Sequence, residues 1–449
     1  MLNGRSSRIG RSLTNILLLL LITCLLTVAP GSAPAVPIRA QSSTPSRMAP
    51  EELLGPYEER GPELTPASHA TSASTKVWQA LPNTGLDRRV RAMELMGSDL
   101  YVGGLFTQTS DGQITDLGHI VRYDIEANTW NALLNQGLSH EVKALAAIGS
   151  DLYVGGVFTQ TVDGDVPNLG HIARYDTVAG SWHGLSSGSL DDSVAALVAV
   201  GNDLYVGGRF NQTADGSMTD LGYVARYDTV AGTWHALPNG GLWGHVYAMA
   251  ACGNDVYFGG GFTQTWDGTV VLGHIARFDT IAPAWHTLPN SGLNGDVTGL
   301  TVSGDVLYAG GNFTQAADGA IVLGRIARFD TTGASWSALP NQGLDDYVSA
   351  IAVMDNDVYA GGQFGQTGDG TLTNLGHIAR YDSAADPWNA LPSQGLNNWV
   401  YALTVAGDDL YVGGNFSTTG DQSPPSVSRI ARYGEYRYKY VVYLPLVIR

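Results

Sequence analysis

At 449 residues, 44% apolar and 14% charged, the chain is long and apolar enough to bury a large core and too poor in charge for a disordered polymer. A formal charge of −17, with lysine only at Lys76, Lys143 and Lys439, argues against nucleic acid or an anionic membrane as partner. The 57 glycines point to many tight turns between short elements.

The chain opens with Arg5, Arg8 and Arg11, an apolar run over residues 16–28 and the small residues Ser32, Ala33, Pro34 and Ala35. This is the layout of a secretory signal peptide cleaved after Ala35, so residues 1–35 are expected to be removed and the protein secreted or displayed at a cell surface. The run is short for a membrane span, so no transmembrane helix is expected in the mature chain. Removal of Cys24 with the leader leaves Cys252 alone, without an internal disulfide partner. Residues 36–75, rich in Pro, Ser, Thr, Ala and Glu, read as a flexible linker.

From residue 76 the sequence repeats. A Tyr-x-Gly-Gly-x-Phe element begins at Tyr101, Tyr153, Tyr205, Tyr257, Tyr308, Tyr359 and Tyr411, at spacings of 51 or 52 residues. Each unit holds four short runs rich in Val, Ile, Tyr and Trp, which in the first unit are residues 90–96, 99–105, 118–124 and 129–133. Their composition and length predict strands, joined by Gly-Ser-Asp, a longer Thr-Gln-Thr-x-Asp-Gly loop and Glu-Ala-Asn. No segment carries a helical period.

Seven units of four antiparallel strands predict an all-β fold, a seven-bladed β-propeller over residues 76–434. The unit around Tyr411 has no Trp-x-x-Leu strand after it, whereas Trp78 stands in such a strand before the first unit. Trp78 is therefore expected to supply the outer strand of the last blade and close the ring. Residues 435–449 read as an extra strand or a sorting tail.

Gly103-Gly104 and their copies, with six residues between Tyr123 and Trp130 and the same spacing in later units, make the chain resemble the kelch repeat of galactose-oxidase-like propellers. The phrase LYVGGxFTQT…LGHIARYD…W is also similar to repeats of bacterial surface proteins and to the propeller of fungal cortical cell-polarity markers. The resemblance implies the fold. It does not extend to galactose oxidase activity, which requires a cysteine cross-linked to tyrosine and copper-binding histidines. The long Asp-Gly loop departs from the commonest kelch blade, so partners of intracellular kelch proteins are not carried over.

What recurs in every unit is expected to be architecture. Arg122, Arg174, Arg226, Arg277, Arg328, Arg380 and Arg432, six of them followed two residues on by aspartate, read as inter-blade packing and paired charge. His119, His171, His274 and His377 read as surface or hydrogen-bonded groups and not as metal ligands. The Asp-Gly loops read as turns, with calcium as the alternative, and no other cofactor is expected.

The repeats differ just before each inner strand, at residues 87–89, 139–141, 191–193, 243–245, 294–296, 345–347 and 397–399. These segments are expected to ring the channel mouth as an acidic rim with aromatic faces. Trp243, His245, Tyr347, Trp399, Asp192, Asp296, Asp346 and Glu141 are its candidate ligand-binding residues. The expected function is a non-catalytic exported scaffold, a monomer, holding a glycan or a peptide or protein there. One alternative is a glycan-active enzyme using rim carboxylates as acid and base, among them Asp191 and Asp345. The other is a structural cell-envelope protein.

Overall fold

The computed structural model describes residues 76–423 and 425–436. The expected leader, linker and C-terminal tail beyond Tyr436 lie outside these residues. Seven four-stranded antiparallel sheets follow one another along the chain. Blade 1 consists of Val90–Met96, Asp99–Gly104, Ile120–Asp124 and Thr129–Ala132. Blades 2 to 6 repeat the pattern from inner strands beginning at Val142, Val194, Val246, Val297 and Val348. The inner strands contact one another in sequence, and that of blade 7 contacts that of blade 1, which closes the ring around a channel.

Closure follows the expected route. Val77–Ala80 pairs with Ile430–Gly434 as the outer strand of blade 7, with Trp78 opposite Tyr433. The remaining strands of that blade are Val400–Ala406 and Asp409–Gly414. No α-helix occurs among the described residues, and hence none long and apolar enough to cross a membrane.

Two recurring contacts join the blades. The first glycine of each Gly-Gly pair lies under the leading valine of the next inner strand. A Cβ on Gly155 would stand 2.4 Å from Val194 Cγ1, and one on Gly413 would stand 2.5 Å from Val90 Cγ1, so the contact continues across the closure. The second contact is made by the outer-strand tryptophan. Trp130 stacks on Tyr123 at 4.9 Å, and its indole N–H donates to the Pro82 carbonyl of the preceding blade's turn at 2.9 Å. Trp78 makes the equivalent bond to the Pro392 carbonyl, also at 2.9 Å. The indole thus buries its ring and still satisfies its donor.

The recurring arginines are arranged differently from the expectation. They pair mainly within a blade, with the aspartate that opens the second strand: Arg122 with Asp99 at 3.1 Å, Arg174 with Asp151 at 2.9 Å and Arg226 with Asp203 at 2.9 Å. The aspartates two residues after the arginines serve the next turn instead. Asp176 accepts the amides of Val178 and Ala179 at 3.0 and 2.8 Å. Arg380 alone among the described arginines makes both contacts, with Asp357 and Asp382.

If valine-under-glycine packing sets the blade spacing, Gly155→Ala should cost about 1–3 kcal/mol by overpacking. Gly365→Ala, with nothing within 4 Å of the added Cβ, should be close to neutral. Chemical denaturation reads both. The double variant Gly155→Ala/Val194→Ala should show positive coupling, and strict additivity would mean that the two groups do not compete for space.

Candidate binding site at the channel mouth

The mouth is built by a β-bulge in every blade. In blade 1 Val90 pairs with Gly104 and Ala92 with Gly103, leaving Arg91 without a cross-strand partner. The slip falls at the equivalent residue of all the other inner strands. A bulge re-aims the extra side chain. The seven residues so released are Arg91, Lys143, Ala195, Tyr247, Thr298, Ser349 and Tyr401, and all of them line a single cavity of about 530 Å³. Ser193, Asp296, Tyr347 and Trp399 from the segments just before the strands complete the wall, with Arg209 and Gln363 from the position after the Gly-Gly pair. A second cavity shares Arg91, Thr298, Ser349 and Tyr401 with the first and adds Met93, Leu145, Leu197 and Met249.

The residues expected to form one patch are divided. Tyr347, Trp399 and Asp296 reach the cavity. Asp192 and Asp346 are exposed and accept the amides of Ser193 and Tyr347, at 2.5 and 2.7 Å. Glu141 is buried and accepts from Arg89 at 2.9 Å and Arg91 at 3.2 Å. Trp243 and His245 are not in the wall. Trp243 packs on Trp266 at 4.7 Å, while His245 lies 5.2 Å from Tyr223 and 6.2 Å from Tyr247.

The expected acidic rim is corrected at the mouth. Three cations, Arg91, Lys143 and Arg209, line the cavity against one carboxylate, Asp296. Burial works to raise the Glu141 carboxyl, but the two guanidiniums outweigh it and hold it below the usual range. Arg91 also lies over the Tyr401 ring, 4.2 Å from its centroid. Burial lowers the Lys143 pKa; Glu141 and, more weakly, Asp192 oppose the change, while Arg209 and Arg91 add to it. Neither Lys143 nor Arg209 forms a hydrogen bond or ion pair among the described residues, whereas Arg91 is held from two sides.

The sequence reading missed Arg91, Lys143, Tyr247 and Tyr401 because they stand inside a strand-like run, where alternation places a residue without revealing a bulge. The signal available was their variability: the second position of the inner strand holds Arg, Lys, Ala, Tyr, Thr, Ser and Tyr in turn.

The recurring histidines precede the third strand with positive φ, 66° at His119 and 70° at His171, as do Tyr223, Arg325 and Arg429. This conformation brings several of them against the rim segments: His119 stacks 6.0 Å from His140, and His274 lies 3.3 Å from Asp296. Burial pushes His119, His171 and His377 down, favouring their neutral forms.

The Asp-Gly loops use their carboxylates as staples. Asp111 accepts from Thr109 Oγ1 at 2.8 Å, the Gln113 amide at 3.0 Å and Asn83 Nδ2 at 3.0 Å. The Thr213 hydroxyl and the Ser217 amide and hydroxyl bring Asp215 down to about 2. Among the described residues no three His, Cys, Asp or Glu side chains are grouped to hold a metal ion.

No family model matches the chain. It is similar to the polarized growth protein rax2 of Schizosaccharomyces pombe, 27% identical over 191 residues, covering 40% of this chain and 15% of the relative. It is also similar to the polarized growth protein L1 of a Phoma species, 34% identical over 107 residues, covering 24% of this chain and 8% of the relative. The chain thus matches less than a fifth of either relative's length. These matches support the expected likeness to fungal polarity proteins, and none supports a kelch or galactose-oxidase family.

Among solved structures, a computationally designed protein, Ika8, aligns with TM-score 0.47 at 17% identity over 79% of this chain and 98% of its own. The extracellular domain of a one-component system from B. thetaiotaomicron aligns with TM-score 0.49 at 12% identity over 80% of this chain and 39% of its own.

Two carboxyls are pushed up by burial, Asp357 and, further, Glu94, and neither is in the cavity wall. Glu94, on the inner strand of blade 1, rises from 4.5 to about 7 because it is buried, with a backbone bond at Ala147 of blade 2 opposing the change. Its counterparts are Ala146, Val198, Ala250, Thr301, Ala352 and Thr404. The folded state therefore keeps a proton that the unfolded chain releases above pH 4.5, and stability falls as pH rises from 4.5 to 7. Glu94→Gln should match the parent near pH 4 and exceed it at pH 8 by up to about 3 kcal/mol. Urea unfolding at both pH values tests this, and a difference independent of pH would refute it.

Proposed function

We propose that the protein is a non-catalytic binding scaffold of the cell surface or its surroundings, holding a glycan or peptide ligand across the channel mouth. One observation carries this reading. Two positions that vary from blade to blade, the bulged residue and the one just before the inner strand, supply most of the wall of one cavity, while the repeated residues are engaged in packing, pairing and turns. Variable residues gathered at a shared cavity are the pattern of a site placed on a fixed framework. The expected leader and the similarity to two polarized growth proteins support a location at the surface.

The glycan-active alternative would need a pair of carboxyls at the mouth with divided roles. Glu141 is held low by two arginines, and Glu94 and Asp357, the carboxyls pushed up, are not in the wall. These observations favour binding over hydrolysis.

Glycan and peptide arrays probed with the full chain should show binding that Tyr347→Ala/Trp399→Ala weakens at least tenfold, with the thermal midpoint retained. Val230→Ala, at an exposed turn residue that does not line the cavity, should leave binding unchanged. If the aromatic double variant binds as the parent does, the mouth is not the site.

A further inference from the structure

We propose that the ligand is a carboxylate-bearing oligosaccharide, with an acid group between Lys143 and Arg209 and further sugar rings laid on an aromatic track from Tyr247 to Trp243. This rests on reading the mouth as the binding site and adds the chemistry of what enters it.

The first ground is charge. The chain carries 41 acidic and 24 basic residues, yet its mouth has three cations to one carboxylate. A positive concavity in a negative body focuses an attractive field for an anion that the remaining surface repels. Arg91 is committed to Glu141 and to the Tyr401 ring, so it builds the wall. Lys143 and Arg209 remain without a hydrogen bond or ion pair among the described residues. Burial lowers the Lys143 pKa first and Arg209 and Arg91 add to it, so an anion placed between Lys143 and Arg209 would favour the charged lysine.

The second ground is the arrangement of rings. Tyr347, Trp399 and Tyr401 stand in the same wall as Thr298, Ser349 and Gln363, so ring faces alternate with groups able to bond hydroxyls. From Tyr247 the rings continue outside the cavity. His245 is 6.2 Å from Tyr247, Tyr223 is 5.2 Å from His245, Trp266 is 6.0 Å from Tyr223, and Trp243 is 4.7 Å from Trp266. All five are at least partly exposed, Trp243 at 54%. Every unit of a saccharide chain offers an apolar C–H face to such a series, whereas an acidic peptide offers no stacking face at each residue. The two grounds together require a ligand that is anionic and long, and neither a small anion nor a neutral sugar uses both.

The test uses the full chain, with galacturonate oligomers of two and six units, the same oligomers after carboxyl reduction, and poly-glutamate, measured by calorimetry. The acidic hexamer should bind at least tenfold more tightly than its reduced form and weaken as salt rises. Lys143→Ala/Arg209→Ala should abolish that preference, and Lys143→Arg should keep it. Trp243→Ala/Trp266→Ala should weaken the hexamer several-fold and leave the dimer unchanged.

Equal binding of the acidic and reduced oligomers would overturn the proposal. If Tyr347→Ala/Trp399→Ala still abolished that binding, the mouth would stand as the site with its ligand chemistry reassigned. Poly-glutamate binding as tightly as the acidic hexamer, indifferent to the tryptophan variant, would replace the sugar by an acidic peptide. Failure of both acidic oligomers to bind would overturn the proposal, and the array result with Tyr347→Ala/Trp399→Ala would still decide the mouth reading independently.

Discussion

The structure depends on a valine pressed into the space left by a glycine. Each blade offers the bare backbone of the first glycine in its Gly-Gly pair, and the next blade places its leading valine there, from Gly103 and Val142 round to Gly413 and Val90. The second glycine is equally constrained. A Cβ on Gly104 would stand 2.2 Å from the Arg89 carbonyl oxygen of the chain entering the inner strand. One dipeptide therefore sets the distance between blades and lets the incoming strand approach closely. The register slip follows at the next residue. The same close packing that builds the ring is adjacent to the bulge that turns a side chain into the mouth, so architecture and site arise at one place in the chain.

Ring closure follows from that repetition. A sheet edge left open exposes unpaired backbone groups, and a closed ring with paired outer strands limits that liability. Here the last blade lacks an outer strand of its own, and Val77–Ala80 supplies it. The indole of Trp78 stacks 5.2 Å from Tyr433 and bonds the Pro392 carbonyl, as the other six outer-strand tryptophans do for their own neighbours. The joint between the two ends of the propeller is thus chemically the same as the joints between consecutive blades. Shear at the closure is opposed by core packing, a valine–glycine contact and an indole hydrogen bond together.

The fold was legible in the sequence because the repeat displays every part of the blade seven times, and Trp78 before the first unit with no equivalent after Tyr411 shows how the ring closes. The site was legible only in part. Variability marked residues 87–89 and their counterparts, and Asp296, Tyr347 and Trp399 do reach the cavity. Trp243 was drawn away by Trp266, a partner in a different loop that no local pattern connects with it. The bulged residues were hidden for a different reason. A two-residue alternation assumes an unbroken ladder, and a bulge changes the face of one residue without leaving a local mark in composition. The arginine partners show a third limit. Spacing suggested the aspartate two residues on, while the cross-strand register placed Tyr101 opposite Arg122 and brought Asp99 within reach from the neighbouring position.

The mouth's charge depends on how Glu141 is used. A single buried carboxylate accepts from Arg89 and Arg91, so two guanidiniums share one negative charge and the surplus stays positive. Glu141 is held by the two arginines and is not in the cavity wall, while its charge still favours the protonated Lys143. Lys143 and Arg209 can then act on whatever enters without first breaking an internal pair, which would otherwise subtract from binding. The opposite wall, bearing Tyr247, Tyr347 and Trp399, has little charge to oppose them apart from Asp296. The mouth is therefore polarised across its width, and a ligand with charge at one end and flat faces along its length can satisfy both walls in one orientation. That division, cations from blades 1 to 3 and rings from blades 4, 6 and 7, is possible because the bulged residue, the residue before the inner strand and the residue after the Gly-Gly pair each sit at a fixed place in the blade and the repeat leaves them free to differ.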